Sequence, residues 1–201
     1  QEPRLVVHYA SLDQDTSVFN VKDAYNAGDA DFHTIVAKMA DIPRDAAKTI
    51  NLGLFYGMGK AKLQAELGVS KDKAEELFSI YHERVPFVKS LTRSVSNRAQ
   101  QRGQIRTLLG RLCRFHLWEP NSFGMHKALP FDQAVQEHGP GIKRAYTYKA
   151  LNKLIQGSAA DMTKKSMLEL YKEGIVAHIQ VHDELDISVE DDKKAKRIKE
   201  I

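Results

Sequence analysis

The segment "PRDAAKTINLGLFYGMG", residues 43–59, carries the strongest helical pattern in this 201-residue chain. Within it Arg44, Lys48, Leu52 and Tyr56 follow one another at intervals of four residues. Each interval advances about 40° around an α-helix, so the four side chains share one stripe. Two cations followed by an apolar side chain and a phenol ring suit a long anionic ligand with a flat aromatic end. A solvated amphipathic helix with a basic face would show the same spacing.

The residues around this helix indicate where it starts and ends. Asp41 is expected to cap its N-terminus, Pro43 to lie in its first turn, and Gly57 and Gly59 to end it. Gly53, in the middle of the helix, costs about 1 kcal/mol relative to alanine. A glycine there indicates that another group approaches the helix backbone closely.

A second informative segment is "IVAHIQVHDELDISVE", residues 175–190, in which His182, Asp183 and Glu184 interrupt two short apolar runs. The pattern predicts a β-hairpin with a polar bend. Carboxylates at a rigid hairpin suit Mg²⁺, which prefers hard oxygen ligands. Adjacent strand residues point to opposite faces, so we expect Asp183 to be a metal ligand and Glu184 to act weakly or indirectly. A polar β-turn without a metal is the alternative interpretation of these three residues.

Helical and strand-like patterns along the rest of the chain predict an α+β fold. Residues 3–12 alternate like a β-strand, residues 104–115 resemble a short hairpin, and residues 116–141, with three prolines and three glycines, are expected to be irregular. Further helices are predicted at 31–40 with Asp31 as N-cap, 70–85 with Ser70 as N-cap, 86–103 between Pro86 and Gly103, 142–173 with an interruption at "QGSAAD", and 191–201.

Composition narrows the class of protein only moderately. Apolar residues make up 42% and charged residues 28%, which is typical of a globular domain. Without a run of 18 apolar residues, no membrane association is predicted. Lysine and arginine outnumber acidic residues by 30 to 26, which permits a polyanionic partner without requiring one. The lone cysteine, Cys113, is expected to be a small core residue in a reducing, cytoplasmic compartment.

Six segments resemble motifs of the family A DNA polymerases, the DNA polymerase I family, and occur in that family's order. They are "QEPRLVVHYA" (1–10), "DFHT" (31–34), "RDAAKTINLGLFYG" (44–57), "TLLGR" (107–111), "QGSAAD" (156–161) and "QVHDE" (180–184). Each motif alone is short and unspecific, whereas their ordered combination is specific. The resemblance implies a mostly helical fingers subdomain attached to a partial antiparallel palm sheet. The implied division is a palm strand at 1–20, fingers helices at 21–100, a hairpin and irregular insertion at 101–141, and a palm helix, His-Asp-Glu hairpin and terminal helix at 142–201.

The activity implied by the resemblance is DNA-directed DNA synthesis, with primer–template DNA and dNTP as partners. A primer 3′-hydroxyl would attack the α-phosphate of the dNTP, assisted by two Mg²⁺ ions. The implied catalytic residues are Asp183, Glu184 and Lys48. Of these, Asp183 would be the metal ligand. Lys48 is the candidate general acid for pyrophosphate departure.

The resemblance also implies which residues would bind the nucleotide and the DNA. Arg44 and Lys48 would bind the β- and γ-phosphates, and His33 would add a phosphate contact. Tyr56 would lie beside the templating base, and Glu2 would exclude a ribose 2′-hydroxyl. The predicted DNA contacts are Asn152 and Gln156 in the minor groove, His182 at the primer terminus, and Arg4, for which a structural salt bridge is an equal alternative.

Two departures from the family pattern carry expectations of their own. Leu52 stands where the family usually has an aromatic residue beside the incoming sugar, so discrimination at the sugar 3′ position should be altered. This departure favours a viral or phage replicase that acts in the host cytoplasm, with replication accessory proteins as further partners. The first palm motif starts without its catalytic aspartate, and no thumb or exonuclease domain is evident. The chain is therefore expected to be a piece of a longer enzyme with little activity alone.

Two other classes of protein share part of this pattern. Single-subunit RNA polymerases have a Lys-to-Tyr-Gly helix and a His-Asp hairpin, but typically carry serine where Glu184 stands, and Glu2 favours deoxynucleotides. A non-catalytic nucleic-acid-binding module would keep a basic groove and lose the acidic pair. Asp183 together with Arg44 and Lys48 argues against such a module.

Overall fold

The structure is a computed structural model that describes residues 1–28, 31–122 and 124–199, apart from the side chains of residues 39 and 40. The described helices are α1 (Glu2–Leu12), α2 (Phe19–Asn26), α3 (Phe32–Ala40), α4 (Arg44–Phe55), α5 (Lys60–Leu67), α6 (Lys71–Arg84), α7 (Pro86–Arg102), α8 (Phe131–His138), α9 (Ala150–Lys172) and α10 (Asp192–Ile198). The strands are β1 (Gln104–Arg106), β2 (Leu112–Arg114), β3 (Leu117–Pro120), β4 (Leu129–Pro130), β5 (Ile142–Arg144), β6 (Ile179–Val181) and β7 (Glu184–Asp186). The predicted α+β class is confirmed.

Helices α1 to α7 and α9 share one hydrophobic core, and the strands form three small antiparallel sheets. Val6 of α1, Ile50 of α4, Leu91 of α7 and Ile155 of α9 are fully or almost fully buried in this core. The sheets pair β1 with β2, β3 with both β4 and β5, and β6 with β7. No helix among the described residues is long and apolar enough to cross a membrane.

Several local predictions are confirmed because short-range signals determine them. The Asp31 carboxylate accepts from the His33 main chain and caps α3, and Ser70 caps α6 in the same way. Helix α7 begins at Pro86 and ends before Gly103, which has a φ of 68°. Gly53 does admit a close neighbour: a Cβ built there would collide with the Met58 side chain.

The strand predicted at the start of the chain is wrong, because Glu2–Leu12 forms helix α1. Leu5, Val6, Val7 and Ala10 are all buried, a set that includes adjacent residues and so does not fit a strand with one buried face. Burial against α7 and α9 outweighs the β-propensity of the two valines. The N-cap prediction for Asp41 is also wrong: it ends α3 with a φ of 52°, and Pro43 occupies the N-cap of α4.

Residues 116–141 are not irregular as predicted. They contain β3, β4 and α8, and the first of these strands pairs with β5 further along the chain. The prolines fall at element boundaries, where a missing N–H costs nothing: Pro120 ends β3, and Pro130 caps α8. Trp118 packs edge-on against Phe131 and holds the sheet to the helix.

The helix predicted over 142–173 starts later than expected and has no interruption. Residues Ile142–Arg144 form β5, and α9 runs from Ala150 through "QGSAAD" to Lys172. Thr107 occupies the space beside position 157 of α9, which leaves no room for a larger side chain than glycine. A Cβ at this position would lie 2.8 Å from Thr107 Cγ2. Close packing of the β1–β2 turn on α9, not a helix break, therefore accounts for this glycine.

Candidate active site

A cavity of about 650 Å³ lies where the start of α1, the middle of α4, the middle of α9 and the β6–β7 turn meet. The structure brings six of the predicted site residues to its wall: Glu2, Lys48, Leu52, Gln156, His182 and Asp183. These residues are up to about 180 positions apart in the chain, so only the tertiary fold assembles them.

The β6–β7 turn separates the two adjacent carboxylates. His182 has a φ of 52°, and this left-handed backbone turns the chain so that Asp183 lines the cavity. The Asp183 side chain is 52% exposed, and its Oδ2 lies 4.0 Å from the main-chain nitrogen of Gln1. Glu184 instead begins β7 opposite Val181 and is not part of the wall. One carboxylate of the pair is thus presented to the cavity.

Glu2 and Tyr56 join α1 to the end of α4. The Tyr56 hydroxyl donates a hydrogen bond to Glu2 Oε2. Burial raises the pKa of Tyr56 well above its usual value, and the neighbouring Glu2 carboxylate raises it further. The phenol therefore stays protonated and fixes the Glu2 carboxylate at the cavity wall. Tyr56 and Leu52 also line a second cavity of about 440 Å³.

Arg44 lies one helical turn before Lys48 and outside the main cavity wall. Its Nε donates to Asp31 Oδ2 at 2.7 Å, so the cap of α3 also fixes the start of α4. Burial would raise the pKa of Asp31, but hydrogen bonds from Thr34 and Arg44 outweigh it and lower that pKa to about 2. Asp31 is therefore ionised at neutral pH and holds the guanidinium in place.

His33 likewise lies outside the cavity wall, between α3 and α4. Its Nδ1 is 3.1 Å from Asn51 Nδ2, a contact in which the amide donates to an unprotonated ring nitrogen. Burial lowers the pKa of His33; Asp31 opposes this shift, and Arg44 and Lys48 reinforce it. In the neutral ring, Nε2 carries the proton and remains available as a donor.

The two remaining residues predicted to contact DNA, Asn152 and Arg4, lie in different parts of the structure. Asn152 lies on α9 one turn before Gln156, half-buried and outside the cavity wall. Arg4 is placed away from this region, because two residues from Glu2 correspond to about 200° around α1. Its guanidinium lies 5.5 Å from the centre of the Tyr25 ring, in a groove against α2. The salt bridge given as an alternative for Arg4 is not found, since no ion pair among the described residues includes it, and contact with DNA stays a prediction.

This arrangement of helices and motifs matches known proteins over nearly the whole chain. The sequence model of DNA polymerase family A matches residues 2–201. The chain belongs to DNA polymerase family A. A DNA-directed DNA polymerase of Pseudomonas phage M6 is 33% identical over 97% of this chain and 32% of its own length. DNA polymerase I of Helicobacter pylori is 29% identical over 94% of this chain and 20% of its own.

A solved structure agrees with the sequence relatives. The POL domain of Pol1 from M. smegmatis, in complex with DNA primer–template and dNTP, shares 27% identity and a TM-score of 0.71. The match covers 98% of this chain and 34% of that one. The chain thus spans between about a fifth and a third of the length of these polymerases.

The candidate site rests on a polar network that the sequence motifs did not reveal. Ser158 Oγ lies 2.8 Å from the Tyr9 hydroxyl and accepts from the Leu108 main-chain N–H at 3.0 Å. Arg111 donates to Asp161 Oδ1 at 2.9 Å and to the Gly157 carbonyl at 2.7 Å. The "TLLGR" and "QGSAAD" motifs therefore bind each other and α1. Each motif was recognised in the sequence, but nothing in it showed that they are partners.

Gly157→Ala tests the contact between these motifs. The new methyl would meet Thr107 Cγ2, a stiff and buried β-branched group, so we expect the free energy of unfolding to fall by about 1–2 kcal/mol. Chemical denaturation measures this loss, which occurs despite the gain of about 1 kcal/mol in helix propensity.

A rescue variant and a control make this prediction specific. Thr107→Ser removes Cγ2, keeps a hydroxyl and should restore most of the stability of Gly157→Ala. Gly53→Ala meets the flexible end of Met58 and should cost less than Gly157→Ala. Equal losses at both glycines, or no rescue by the serine, would contradict the steric explanation.

Metal binding can be assessed from the donor atoms alone. Within the described parts of the chain, no group of three or more His, Cys, Asp or Glu side chains is arranged to hold a metal ion. Asp183 nevertheless offers a half-exposed hard-oxygen ligand to the cavity. Mg²⁺ is commonly held by one or two carboxylates together with water and substrate phosphates. The residues present therefore fit a magnesium ion shared with substrate, and do not form a closed metal site.

Proposed function

We propose that this chain forms the fingers and part of the palm of a DNA-directed DNA polymerase acting in replication or repair. The observation that carries the proposal is the cavity that gathers Lys48, Leu52, Glu2 and Asp183 from three separate elements. The relatives support it, because Pol1 of M. smegmatis is described with primer–template DNA and dNTP in the same fold. The subdomain boundaries after residues 20, 100 and 141 remain predictions. Replication accessory proteins as partners, and DNA synthesis in the host cytoplasm, also remain predictions.

The reaction is attack of the primer 3′-oxygen on the α-phosphorus of a dNTP, with loss of the hydroxyl proton and release of pyrophosphate. Such a transfer depends mainly on positioning and on neutralising charge at the phosphates. Lys48 reaches the cavity, and Arg44, fixed by Asp31, extends the same cationic stripe by one turn. These two cations bind the β- and γ-phosphates, and Lys48 donates a proton to the departing pyrophosphate.

Asp183 would hold magnesium on the side of the cavity that faces α1. When bound, such an ion would supply positive charge for the phosphates and favour ionisation of the attacking hydroxyl. The neighbouring His182 contacts the primer terminus from the same turn. Glu184, which pairs opposite Val181 outside the cavity wall, acts indirectly by supporting the turn.

Glu2 selects deoxyribose over ribose, and Leu52 lies beside the incoming sugar. The hydrogen bond from Tyr56 holds the Glu2 carboxylate in one position, so the space that a ribose 2′-hydroxyl needs is closed. Gln156 lines the same cavity and, together with Asn152 one turn earlier, contacts the minor groove of the paired DNA. Selection against ribonucleotides distinguishes this function from that of a single-subunit RNA polymerase.

Primer extension by the intact polymerase tests the proposal. On four templates that differ in one base, the complementary dNTP should be incorporated in each case, and the matching ribonucleotide should be used poorly. Synthesis independent of the template, or a preference for ribonucleotides, would sink the proposal. The isolated chain is predicted to show little synthesis in the same assay.

Leu52→Phe is expected to raise the preference for deoxy- over dideoxynucleotides by about tenfold, the effect of roughly 1.4 kcal/mol in transition-state binding. Leu52 lies on both cavities, and a flat ring there would make closer contact with the sugar. The measurement is kcat/KM for each nucleotide on one primer–template. Leu52→Met, similar in volume but without a ring, should leave the ratio of deoxy- to dideoxynucleotide kcat/KM unchanged. If Leu52→Phe also leaves this ratio unchanged, residue 52 does not determine discrimination at the sugar 3′ position.

A further inference from the structure

Asn51 is a polar residue on the buried face of α4. Its side chain is completely buried, and Ala47 and Phe55, one turn away on either side, are buried apolar residues. Asparagine is a poor helix former in the middle of a helix, and an apolar side chain in these surroundings would leave no polar atom to satisfy. A carboxamide at this position therefore indicates a requirement other than packing.

One half of this carboxamide has a hydrogen-bond partner and the other half does not. Asn51 Nδ2 lies 3.1 Å from His33 Nδ1, whereas Asn51 Oδ1 is buried and has no partner among the described residues. Buried side-chain oxygens without a partner are rare, because such an acceptor has given up its hydrogen bonds to water. The contact with His33 therefore determines which way the amide faces.

A turn of the amide by about 180° exchanges two groups of nearly equal shape but opposite hydrogen-bonding character. Nδ2 donates to an unprotonated His33 Nδ1, and Oδ1 in its place would accept from a protonated one. Because Oδ1 has no hydrogen bond to lose, the turn exchanges one hydrogen bond to His33 for another. The Asn51 side chain can therefore hold the His33 ring both as neutral imidazole and as imidazolium.

The charges around His33 change when a triphosphate binds. Burial is the main cause of the lowered pKa of His33; the Asp31 carboxylate opposes this shift, and Arg44, Lys48 and the main-chain amino group of Gln1 reinforce it. A triphosphate on Arg44 and Lys48 would neutralise both cations and bring further negative charge, which favours the imidazolium. Since Nε2 already carries a proton, the added proton goes from solvent to Nδ1, the atom that faces Asn51.

We propose that Asn51 is a positioning residue that allows His33 to take up a proton when the dNTP binds. In the free enzyme the amide donates to Nδ1 of the neutral ring. In the complex the amide is turned over and accepts from Nδ1–H, so that His33 binds the triphosphate as a cation. Asn51 is fully buried and acts only through His33. The inference rests on the proposed polymerase function and adds to it a proton that enters with the nucleotide.

Counting protons tests this inference. Isothermal titration calorimetry in buffers of different ionisation enthalpy measures proton uptake when the intact polymerase, on a primer–template with a dideoxy-terminated primer, binds the complementary dNTP. At pH 7 the wild-type enzyme should take up about half a proton more per nucleotide than His33→Asn, in which titration of the nucleotide itself remains. His8→Asn, at an exposed position on α1, should match the wild type. Equal uptake by the wild type and His33→Asn would overturn the inference.

Two variants at Asn51 separate positioning from a structural role. Asn51→Leu can neither donate nor accept, so it should lose the extra proton and raise KM for the dNTP about tenfold, with kcat within about threefold of the wild type. Asn51→Asp accepts from an imidazolium already present in the free enzyme, so it should also lose the uptake but keep KM at pH 7 closer to the wild-type value. A purely structural role predicts the opposite order, because aspartate would bury a charge.

The pH dependence of KM provides an independent readout. The wild-type KM should rise with pH, because the proton that stabilises the complex is lost as pH passes through the raised pKa of His33 in that complex. In Asn51→Leu the rise should be no larger than in His33→Asn. Full wild-type uptake or pH dependence in Asn51→Leu, or a larger increase of KM in Asn51→Asp than in Asn51→Leu, would contradict the assigned role.

The ring nitrogens of His33 provide the test if a substitution at buried Asn51 unfolds the enzyme. In ¹⁵N spectra of the unmodified polymerase at pH 7, Nδ1 should be unprotonated before the dNTP is added and protonated afterwards. A ring that stays neutral in the complex, or that is doubly protonated without nucleotide, would refute the inference. Primer extension separates this result from the proposed function: an enzyme that extends primers without the proton uptake refutes the role of Asn51 alone.

Discussion

Asp183→Asn in the intact polymerase should lower template-directed synthesis by at least about a thousandfold. The carboxylate lines the cavity beside the start of α1, and the described cavity wall holds one other carboxylate, Glu2, which is engaged by Tyr56. Asparagine has the same shape and can keep the turn, but it removes the negative charge that a magnesium ion needs. Loss of one neutral donor to a transition state already costs about 10²–10³-fold, and loss of a metal ligand should cost more.

Glu184→Gln is the matched control for this prediction. It makes the same change of charge at the adjacent residue, but Glu184 pairs opposite Val181 outside the cavity wall. We expect its effect on kcat to be at least tenfold smaller than that of Asp183→Asn. Both variants should unfold near the wild-type temperature, because both side chains are exposed. If the two variants lost activity equally, the divergence of the adjacent carboxylates would be the wrong explanation of this turn.

The parts of the fold that could be predicted from the sequence are those that local chemistry determines. Caps at Asp31 and Ser70 and the stop at Gly103 depend on neighbours within a few residues, and all three are as expected. The helix at the start of the chain could not be predicted from such local signals. "PRLVVHYASL" is β-like by composition, and only burial against α7 and α9 makes it helical.

The candidate site shows the same division between local and long-range information. The stripe of Arg44, Lys48 and Leu52 follows from helix geometry and was predictable. That Asp31 holds Arg44, or that Tyr56 holds Glu2, depends on contacts between elements that spacing does not encode. The same limitation applies to Arg4, whose position about 200° around α1 from Glu2 follows only once α1 is known to be a helix.

Long-range contacts also determine the stability of the motifs, and Arg111→Met should show this. Asp161 is 7% exposed; its Oδ1 accepts a hydrogen bond from Arg111 Nε, and Arg111 Nη2 lies 2.8 Å from the same oxygen. Its other oxygen, Oδ2, has no partner among the described residues. Methionine would fill the space of the arginine stem but leave a buried carboxylate without a counter-charge. We expect the free energy of unfolding to fall by about 3 kcal/mol, at the low end for a broken buried pair because Arg111 is half-exposed.

A double-mutant cycle distinguishes the lost ion pair from lost packing. Asp161→Asn leaves an arginine that can turn to water, so it should cost less than Arg111→Met. Adding Asp161→Asn to Arg111→Met removes the uncompensated charge and should recover stability, which gives a coupling energy that depends on the pair itself. Calorimetry should show a shift of roughly 6–12 °C for Arg111→Met, if about 1 kcal/mol corresponds to 2–4 °C in a chain of this size. If the losses simply add, the two motifs are held together by packing around Gly157 and Thr107, and the ion pair is incidental.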